Sequence, residues 1–531
     1  MDNTSLTKLS TGHIRPRLLS ELLSETSEII AISKYMPLAQ DTLIFGLSDD
    51  SRLQQEGALF FAIRGYNSDG HDFIEEAVRN GAAAAVVEKP MPLDIPQIVV
   101  KSVRECVGIF ASTFYGKPSE QMQITGVTGT NGKTTTCHLI YSCLLAGDRP
   151  AGEIGTIANR IGNEILPASL TTPEAIELQS LFYLMRENGV KRVAMEVSSH
   201  ALDLHRVSGT DFEIGIFLNL TPEHLEYHKT MEAYFLAKSK LFNQNLCKKA
   251  IICIDDTWGK KLAAITNIPV ITFGYDASAD IKITAISRGL SGIELTLDHD
   301  GETVTINSGL VGIVNAENIA AAYIAARLLG IDRNLTIDIL QSCSAPPGRF
   351  EIVSGEEPYL VIVDYAHTPN ALEALIETGR AIAAQDGKIT IVLGARGNRF
   401  ISKRHLMGQV AETADKVIYT TDSPADEDPL SIIKDMLGER HPHLQNVSAG
   451  QECCNISIEP DRFSAIRQAV LDANDGDIIF ITGRGHETSQ KIQQRRVFLD
   501  DREAAKAAIA EKIMMRQKML IAGESLDEIS K

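Results

Sequence analysis

Short apolar runs recur along this chain, each ending in a polar or glycine-bearing loop and leading into a segment with helical spacing. Gly57-Ala-Leu-Phe-Phe-Ala-Ile63 reads as a strand between the polar turns Asp50-Ser-Arg52 and Asp69-Gly-His71. A helix over 73–80 and a strand over 82–87 follow it. Ile124 and Val127 close the next run, and 134–145 reads as a helix. Arg192-Val-Ala-Met-Glu-Val197 is nearly continuous in apolar character, as in a strand covered on both faces of a parallel sheet. After Pro347-Gly-Arg-Phe-Glu351, four more runs obey the same rule. They cover 360–363, 389–393, 416–419 and 477–481, and each opens into a polar loop: Asp364-Tyr-Ala-His367, Gly394-Ala-Arg-Gly-Asn-Arg399, Thr421-Asp-Ser-Pro-Ala425 and Gly483-Arg-Gly-His-Glu487.

Strand, loop and helix in alternation specify an α/β protein with its loops on one sheet edge. At 531 residues the chain exceeds a single core. Three domains are expected: a small N-terminal α/β domain (1–121), a central P-loop ATPase-like domain with a parallel sheet (122–346), and a C-terminal dinucleotide-binding-like (Rossmann-like) domain (347–531). No GxGxxG with an acidic ribose partner follows a first strand, which disfavours NAD.

Composition narrows the class further. A formal charge of −18 argues against a nucleic-acid binder, which needs a basic face. The sequence has no cleavable apolar N-terminal segment and no apolar stretch of membrane-spanning length. Eight cysteines occur without a CxxC pair, and the adjacent Cys453 and Cys454 cannot readily bridge each other. Dispersed thiols fit a reducing compartment, so a cytoplasmic location and no membrane partner are expected.

The most specific chemistry lies in Gly126-Val-Thr-Gly-Thr-Asn-Gly-Lys-Thr-Thr-Thr136. Glycines at 126, 129 and 132 let backbone N–H groups wrap an anion. Lys133 adds a point charge, Thr134 a hydroxyl for Mg²⁺, and the helix N-terminus its dipole. Five residues, not the usual four, separate Gly126 from Gly132. Glu196, at the carboxyl end of its run, is a second candidate Mg²⁺ group, the alternative being a glutamate paired with an arginine. Tyr234, Leu241 and Phe242 stand at −4, +3 and +4 from Lys238, in a helix read over 231–242, so Lys238 shares an apolar face. Lys240 points elsewhere and reads as a solvated charge. Burial lowers an amine's pKa, and a neutral amine can take up CO₂ to become an anionic carbamate.

Thr-Gly-Thr-Asn-Gly-Lys-Thr-Thr resembles the ATP loop of the Mur ligase family, which joins amino acids to the peptidoglycan precursor, and of its folylpolyglutamate synthetase relatives. Matching blocks run from about Asp50 to Asp500, and the chain is most similar to the MurE-type branch, which adds the third residue of the stem peptide. The resemblance implies an ATP-dependent, ADP-forming ligase with Mg²⁺ as cofactor. It places ATP at Gly129, Thr130, Asn131, Gly132, Lys133, Thr134, Thr135, Asn315, Asn318 and Arg349. It places the UDP-MurNAc-dipeptide at Ser51, Arg52, His71, Thr171, Thr172, Ser198 and Arg206. Phe217-Leu-Asn-Leu-Thr-Pro-Glu-His224-Leu-Glu carries the histidine that ligates a second Mg²⁺ in the family, although the usual Asp-His-Leu-Asp reads Glu-His-Leu-Glu here. Tyr-Phe-Leu-Ala-Lys-Ser-Lys-Leu-Phe resembles the carbamylated-lysine segment. Lys133, Glu196, His224 and Lys238 are therefore the implied catalytic set, with Thr134, Glu196, His224 and the Lys238 carbamate holding metal.

The implied amino-acid site comprises Arg399, Asp422, Ser423, Gly483 and Glu487. Arg399 would hold the α-carboxylate, although the usual Gly-Asp-Arg-Asp reads Gly397-Asn-Arg-Phe400. In members that add meso-diaminopimelate the next loop reads Asp-Asn-Pro-Arg, and its arginine pairs with the far carboxylate; here it reads Asp422-Ser-Pro-Ala425. Alanine offers no donor, which points to L-lysine, with Asp422 and Glu487 near its ammonium and meso-diaminopimelate as the alternative. Lys403 and Arg404 could replace the missing arginine. A monomer is expected. The competing readings are a folylpolyglutamate synthetase-like ligase, disfavoured by the Asp-Ser-Arg segment, a ligase extending another carboxylate scaffold, and a P-loop ATPase that drives motion.

Overall fold

The computed structural model describes residues 14–27, 30–36, 41–53, 56–65, 68–147, 150–287, 289–299, 301–398, 401–441, 448–453 and 455–522. The chain forms two compact units. One runs to Thr284 and takes in Leu295–Ile306 and Ala316–Ser342; the other comprises Ala285–Glu294, Asn307–Asn315 and Cys343–Lys531.

The first unit holds two large sheets and a small one that pairs Arg17–Leu18 with Leu43–Ile44. The N-terminal one has five strands in the order Ile32–Met36, Gln97–Val100, Ala82–Val87, Ala58–Phe61 and Gly46–Ser48, parallel except for the first pair. The helix Val103–Phe114, capped by Ser102, covers it, and the rings of Phe61 and Phe110 meet at 5.8 Å. The helix read over 73–80 begins as a 3₁₀ turn, Gly70–Phe73, and becomes α-helical only over Ile74–Arg79. Asp69 caps that turn by accepting from the His71 N–H.

The central sheet places Ala151–Ile154, Arg192–Glu196, Gln123–Thr128, Phe212–Phe217, Cys247–Cys253 and Val270–Gly274 side by side, all parallel. Parallel pairing puts every carboxyl end on one edge, so the phosphate-loop strand and the Glu196 strand deliver their loops to the same place. Burial of Val193, Ala194, Met195 and Glu196 bears out the apolar reading of this strand.

The second unit is built on a seven-stranded sheet. Its five inner strands are parallel, in the order Leu360–Asp364, Ile478–Thr482, Ile389–Ala395, Lys416–Thr421 and Ile456–Ile458. Ile362, Ile391 and Val417 pack on one face, and Val361, Val392 and Ile418 on the other. This two-residue alternation buries both faces, at about 1.5–3 kcal/mol per large aliphatic side chain. The four runs expected beyond residue 351 are all strands, and their loops share the carboxyl edge.

A fully buried ion network locks that edge. Arg462 pairs with Asp501 through Nε at 2.9 Å and Nη2 at 2.7 Å, and also donates to the Thr421 and Thr482 carbonyls. Arg484 lies 3.5 Å from the same aspartate. Replacing Asp501 by alanine strands two buried guanidinium groups, at a cost of about 3–5 kcal/mol. The expected result is a lower denaturation midpoint for Asp501→Ala, recovered in part by Arg462→Met in the same chain; an unchanged midpoint would remove the network from this role.

Candidate active site

Gln123–Thr128 passes into the phosphate loop, and the helix Lys133–Leu145 starts directly from Gly132 without a side-chain cap. Its first amides are therefore presented to an anion. Gly132 sits at φ 87°, and a Cβ there would lie 2.2 Å from Asn318 Oδ1, so the position requires glycine. Asn318 is buried and accepts from Thr136 Oγ1 at 3.2 Å, which ties the alanine-rich helix Asn315–Leu328 to the loop. Lys133 Nζ folds onto the loop, donating to the carbonyls of Gly129 (3.0 Å) and Thr130 (2.8 Å). Thr130 Oγ1 donates to the Thr221 carbonyl, and the Asn131 N–H donates to Asn219 Oδ1. Thr135 stands in the first turn of the helix.

Glu196 and Thr134 meet as expected. Thr134 Oγ1 is 3.0 Å from each oxygen of the Glu196 carboxylate, which is 1% exposed and also accepts from the Thr156 N–H and hydroxyl. Among the described residues no arginine, lysine or histidine forms an ion pair with it. A buried carboxylate facing hydroxyl donors at a phosphate loop suits a hard cation such as Mg²⁺.

Lys238 is 1% exposed in the helix Met231–Ser239. Its Nζ lies over the Tyr234 ring at 4.7 Å and donates to the Gly129 carbonyl at 2.8 Å, the same oxygen that Lys133 reaches. Burial, reinforced by the Lys133 charge, holds its pKa well below the ordinary lysine value. The α-helix ends at Ser239, and Lys240–Phe242 continues as a 3₁₀ turn. Lys240 is not a simple solvated charge, because it pairs with Asp203 at 2.8 Å.

His224 occupies a left-handed conformation (φ 56°) ahead of the short helix Leu225–His228. Its ring lies 4.8 Å from that of His200 and 6.2 Å from that of Tyr234. Burial pushes its pKa down to about 3, against the pull of Glu223, so the ring is neutral.

The residues expected at the UDP-MurNAc-dipeptide divide into two groups. Thr171, Thr172, Ser198 and Arg206 converge. Thr172 Oγ1 donates to the Glu196 carbonyl at 2.8 Å and accepts from the Ser198 N–H, while Thr171 Oγ1 meets Thr156 Oγ1 at 3.1 Å. Arg206 donates to the Thr172 carbonyl and pairs with Glu174 at 2.7 Å. In the N-terminal sheet region, Ser51 bonds Glu76, and Arg52 is exposed and pairs with Asp50. His71 is buried with both ring nitrogens engaged, by Asp69 at 2.6 Å and by the Glu88 N–H at 2.9 Å. Its visible work is to hold its own turn.

In the second unit, Asp422, Ser423, Gly483 and Glu487 come together at the sheet edge. Asp422 is 1% exposed and lies 3.6 Å from Arg484, whose Nη1 is 3.3 Å from Ser423 Oγ. Gly483 (φ 103°) leaves space beside Asp422 Oδ2 that a Cβ would enter at 3.3 Å. Burial raises the Glu487 pKa, and Arg396, with which it pairs, opposes that rise. Arg349 stacks over the Tyr365 ring at 4.5 Å, and Asn315 Nδ2 donates to the Val311 carbonyl. Arg399 lies outside the described residues. Arg404 is not available as a replacement donor, because it is buried and held by Glu427 (2.7 Å) and Asp435 (2.9 Å).

Several site residues were not foreseen. Thr156 follows a glycine in an otherwise ordinary strand end and gave no signal. Glu223 was visible as the first acid of the Glu-His-Leu-Glu block. His200 and His228 complete an aromatic cluster with His224, Tyr227 and Tyr234. Cys253, Asp255 and Glu317 place ligand atoms within 4.8 Å of one another, and burial with the neighbouring Asp255 and Asp256 charges pushes Glu317 up to about 7.

Three family models match the chain: the Mur ligase family catalytic domain over 44–115, the Mur ligase middle domain over 127–326, and the Mur ligase glutamate ligase domain over 348–485. The UDP-N-acetylmuramoyl-L-alanyl-D-glutamate--2,6-diaminopimelate ligase of Bacillus cereus is 40% identical over 474 residues, covering 88% of this chain and 94% of that protein. Its namesake from Aquifex aeolicus is 42% identical over 462 residues, covering 87% and 92%. A solved structure of a ligase of that name has a TM-score of 0.63 at 32% identity, covering 89% of this chain and 96% of the other. The Thermotoga maritima MurF ligase in complex with ADP shares the fold, with a TM-score of 0.60 at 21% identity over 88% and 98%.

Lys238→Met tests the buried amine. The apolar chain suits the pocket, so the melting temperature should stay within about 4 °C of the original. ATP turnover should be lost, and added bicarbonate should not restore it. Full turnover would reduce Lys238 to an ordinary helix lysine.

Proposed function

This chain belongs to the Mur ligase family, in its MurE-type branch, and is an ATP-dependent amide-forming ligase; from that premise we propose that it adds meso-diaminopimelate to UDP-MurNAc-L-Ala-D-Glu. The observation that carries the choice of amino acid is the name borne by relatives 40% and 42% identical over nearly their whole length. L-Lysine is the second reading, and Ala425 in place of the loop arginine is the observation that favours it.

The reaction has two steps. The substrate carboxylate attacks the ATP γ-phosphorus, forming an acyl phosphate and releasing ADP. The amine of the incoming amino acid then attacks the acyl carbon, and phosphate leaves from the tetrahedral intermediate. Lys133 and the open amides of its helix neutralise phosphate oxygens as charge shifts toward the leaving ADP. Thr134, Glu196, His224 and Lys238 are the residues that would hold Mg²⁺. The metal, when bound, supplies charge neutralisation at the transferring phosphoryl group. Lys238 joins the set by attacking CO₂ through its neutral Nζ, forming an N–C bond and losing a proton to give the carbamate. Thr171, Thr172, Ser198 and Arg206 line the dipeptide, with Ser51, Arg52 and His71 at its UDP end. Asn318, Asn315 and Arg349 serve ATP, and Arg399 takes the α-carboxylate of the amino acid. The division at 1–121, 122–346 and 347–531 assigns one substrate to each domain.

No described helix is long and apolar enough to cross a membrane. A cytoplasmic location and a monomeric state complete the proposal.

The test is a panel of amino acids with UDP-MurNAc-L-Ala-D-Glu and ATP, read as phosphate release and product mass. meso-Diaminopimelate should exceed L-lysine in kcat/KM by at least about tenfold. The opposite order would establish the lysine reading.

A further inference from the structure

The strand Ile389–Ala395 ends one residue before Arg396, and that arginine stands against both acids of the amino-acid site. Its Nη2 bonds Glu487, and its Nε lies 3.8 Å from Asp422 Oδ2. The pairing is fixed by the backbone: the Gly397 N–H donates to the Ser423 carbonyl at 2.9 Å, and a Cβ at Gly397 would lie 1.7 Å from the Pro424 carbonyl oxygen. Arg396 is thus clamped beside the Asp422-Ser-Pro-Ala425 loop, whose own last residue carries no donor. Its side chain remains 30% exposed, whereas Arg484 and Arg462 are fully buried in the network with Asp501.

Charge decides what such a site accepts. Among the described residues, Arg396, Arg462 and Arg484 face Asp422, Glu487 and Asp501, three guanidinium groups against three carboxylates. Asp422 Oδ1 is buried 3.6 Å from Arg484, and among the described residues no contact uses Nη1 of the part-exposed Arg396. A lone ammonium entering there would sit beside a guanidinium and leave the cluster with an excess positive charge. A zwitterionic group brings one charge of each sign: its ammonium finds the part-exposed Glu487, with Asp422 buried behind it, and its carboxylate finds the remaining N–H groups of Arg396. Breaking the balance in either direction leaves a desolvated charge unpaired.

We propose that Arg396 is the specificity-determining residue of this chain, reading the far carboxylate of a zwitterionic amino-acid terminus in place of the donor that Ala425 lacks. This assignment rests on the diaminopimelate reading, since that substrate ends in an amino group and a carboxylate on one carbon.

Steady-state kinetics on the full chain test it, with meso-diaminopimelate and L-lysine as the two probes. Arg396→Ala should raise the KM for meso-diaminopimelate at least about tenfold and leave kcat/KM for L-lysine unchanged or higher. KM for ATP and for the UDP-dipeptide should stay within about twofold, since neither substrate meets this residue. Adding Ala425→Arg to that variant should restore most of the lost preference. Arg396→Lys, which keeps the charge without the fork, should fall between, and it carries the test if the alanine variant does not fold. An equal loss for both amino acids would make Arg396 a structural neutraliser and overturn the proposal. If the unaltered protein prefers meso-diaminopimelate and Arg396→Ala keeps that preference, the Arg396 assignment fails alone. If the unaltered protein prefers L-lysine, the substrate reading fails first and takes the assignment with it.

Discussion

Parallel pairing of the strands Gln123–Thr128 and Arg192–Glu196 is the constraint on which the ATP half of this protein depends. The register sets Glu196 beside Val127, so the carboxylate emerges where the phosphate loop begins. The helix Lys133–Leu145 returns over the same edge and places the Thr134 hydroxyl 3.0 Å from both carboxylate oxygens. A one-residue slip would turn Glu196 to the opposite face of the sheet. The apolar residues of the Glu196 strand therefore set the geometry of a polar site that they do not themselves touch.

Around that edge the protein concentrates charge in a place where charge is costly. Lys133 and Lys238 converge on one carbonyl oxygen, that of Gly129, and two ammonium groups so placed repel each other in a poorly hydrated site. Burial and the Lys133 charge both act against the ammonium form of Lys238 and hold its pKa well below the ordinary lysine value. His224 and His228 are neutral for the same reason, burial having pushed them to about 3 and about 4. Lys133 Nζ stays folded onto the loop carbonyls of Gly129 and Thr130, where an anion would bind. The cluster is thus set up to gain negative charge, from phosphates or from a carbamate, rather than to shed it.

Much of this was legible in the sequence. The phosphate loop, Glu196 and Lys238 were readable because each couples a chemical group to a periodicity: a strand end, a glycine spacing, an apolar helical face. The strands beyond residue 351 were readable as apolar runs ending in polar loops, with boundaries shifted by a residue or two where polar ends such as Thr421 and Thr482 continue the ladder. What could not be read was pairing across distance. The partners of His71 are one case: Asp69 and the Glu88 N–H engage its two ring nitrogens. Arg404 looked like a spare donor, yet Glu427 and Asp435 bury it. Thr156 carries no local signal, because its role exists only once the Glu196 strand lies beside it.

The Asp422 loop takes its electrostatic character from the residues that surround it. Ala425 removes one donor from the Asp-Ser-Pro-Ala loop, and taken alone that favours a substrate without a second carboxylate. Yet the loop does not act alone, because the neighbouring strand end delivers Arg396 to the same acids, and Arg484 compensates Asp422 from within. In a buried, poorly hydrated site the sum of charges constrains the ligand more tightly than the identity of any one group, since each unpaired charge carries its own desolvation cost. Arginines and acids gathered from neighbouring strand ends therefore have to be weighed together, whichever strand supplies the guanidinium.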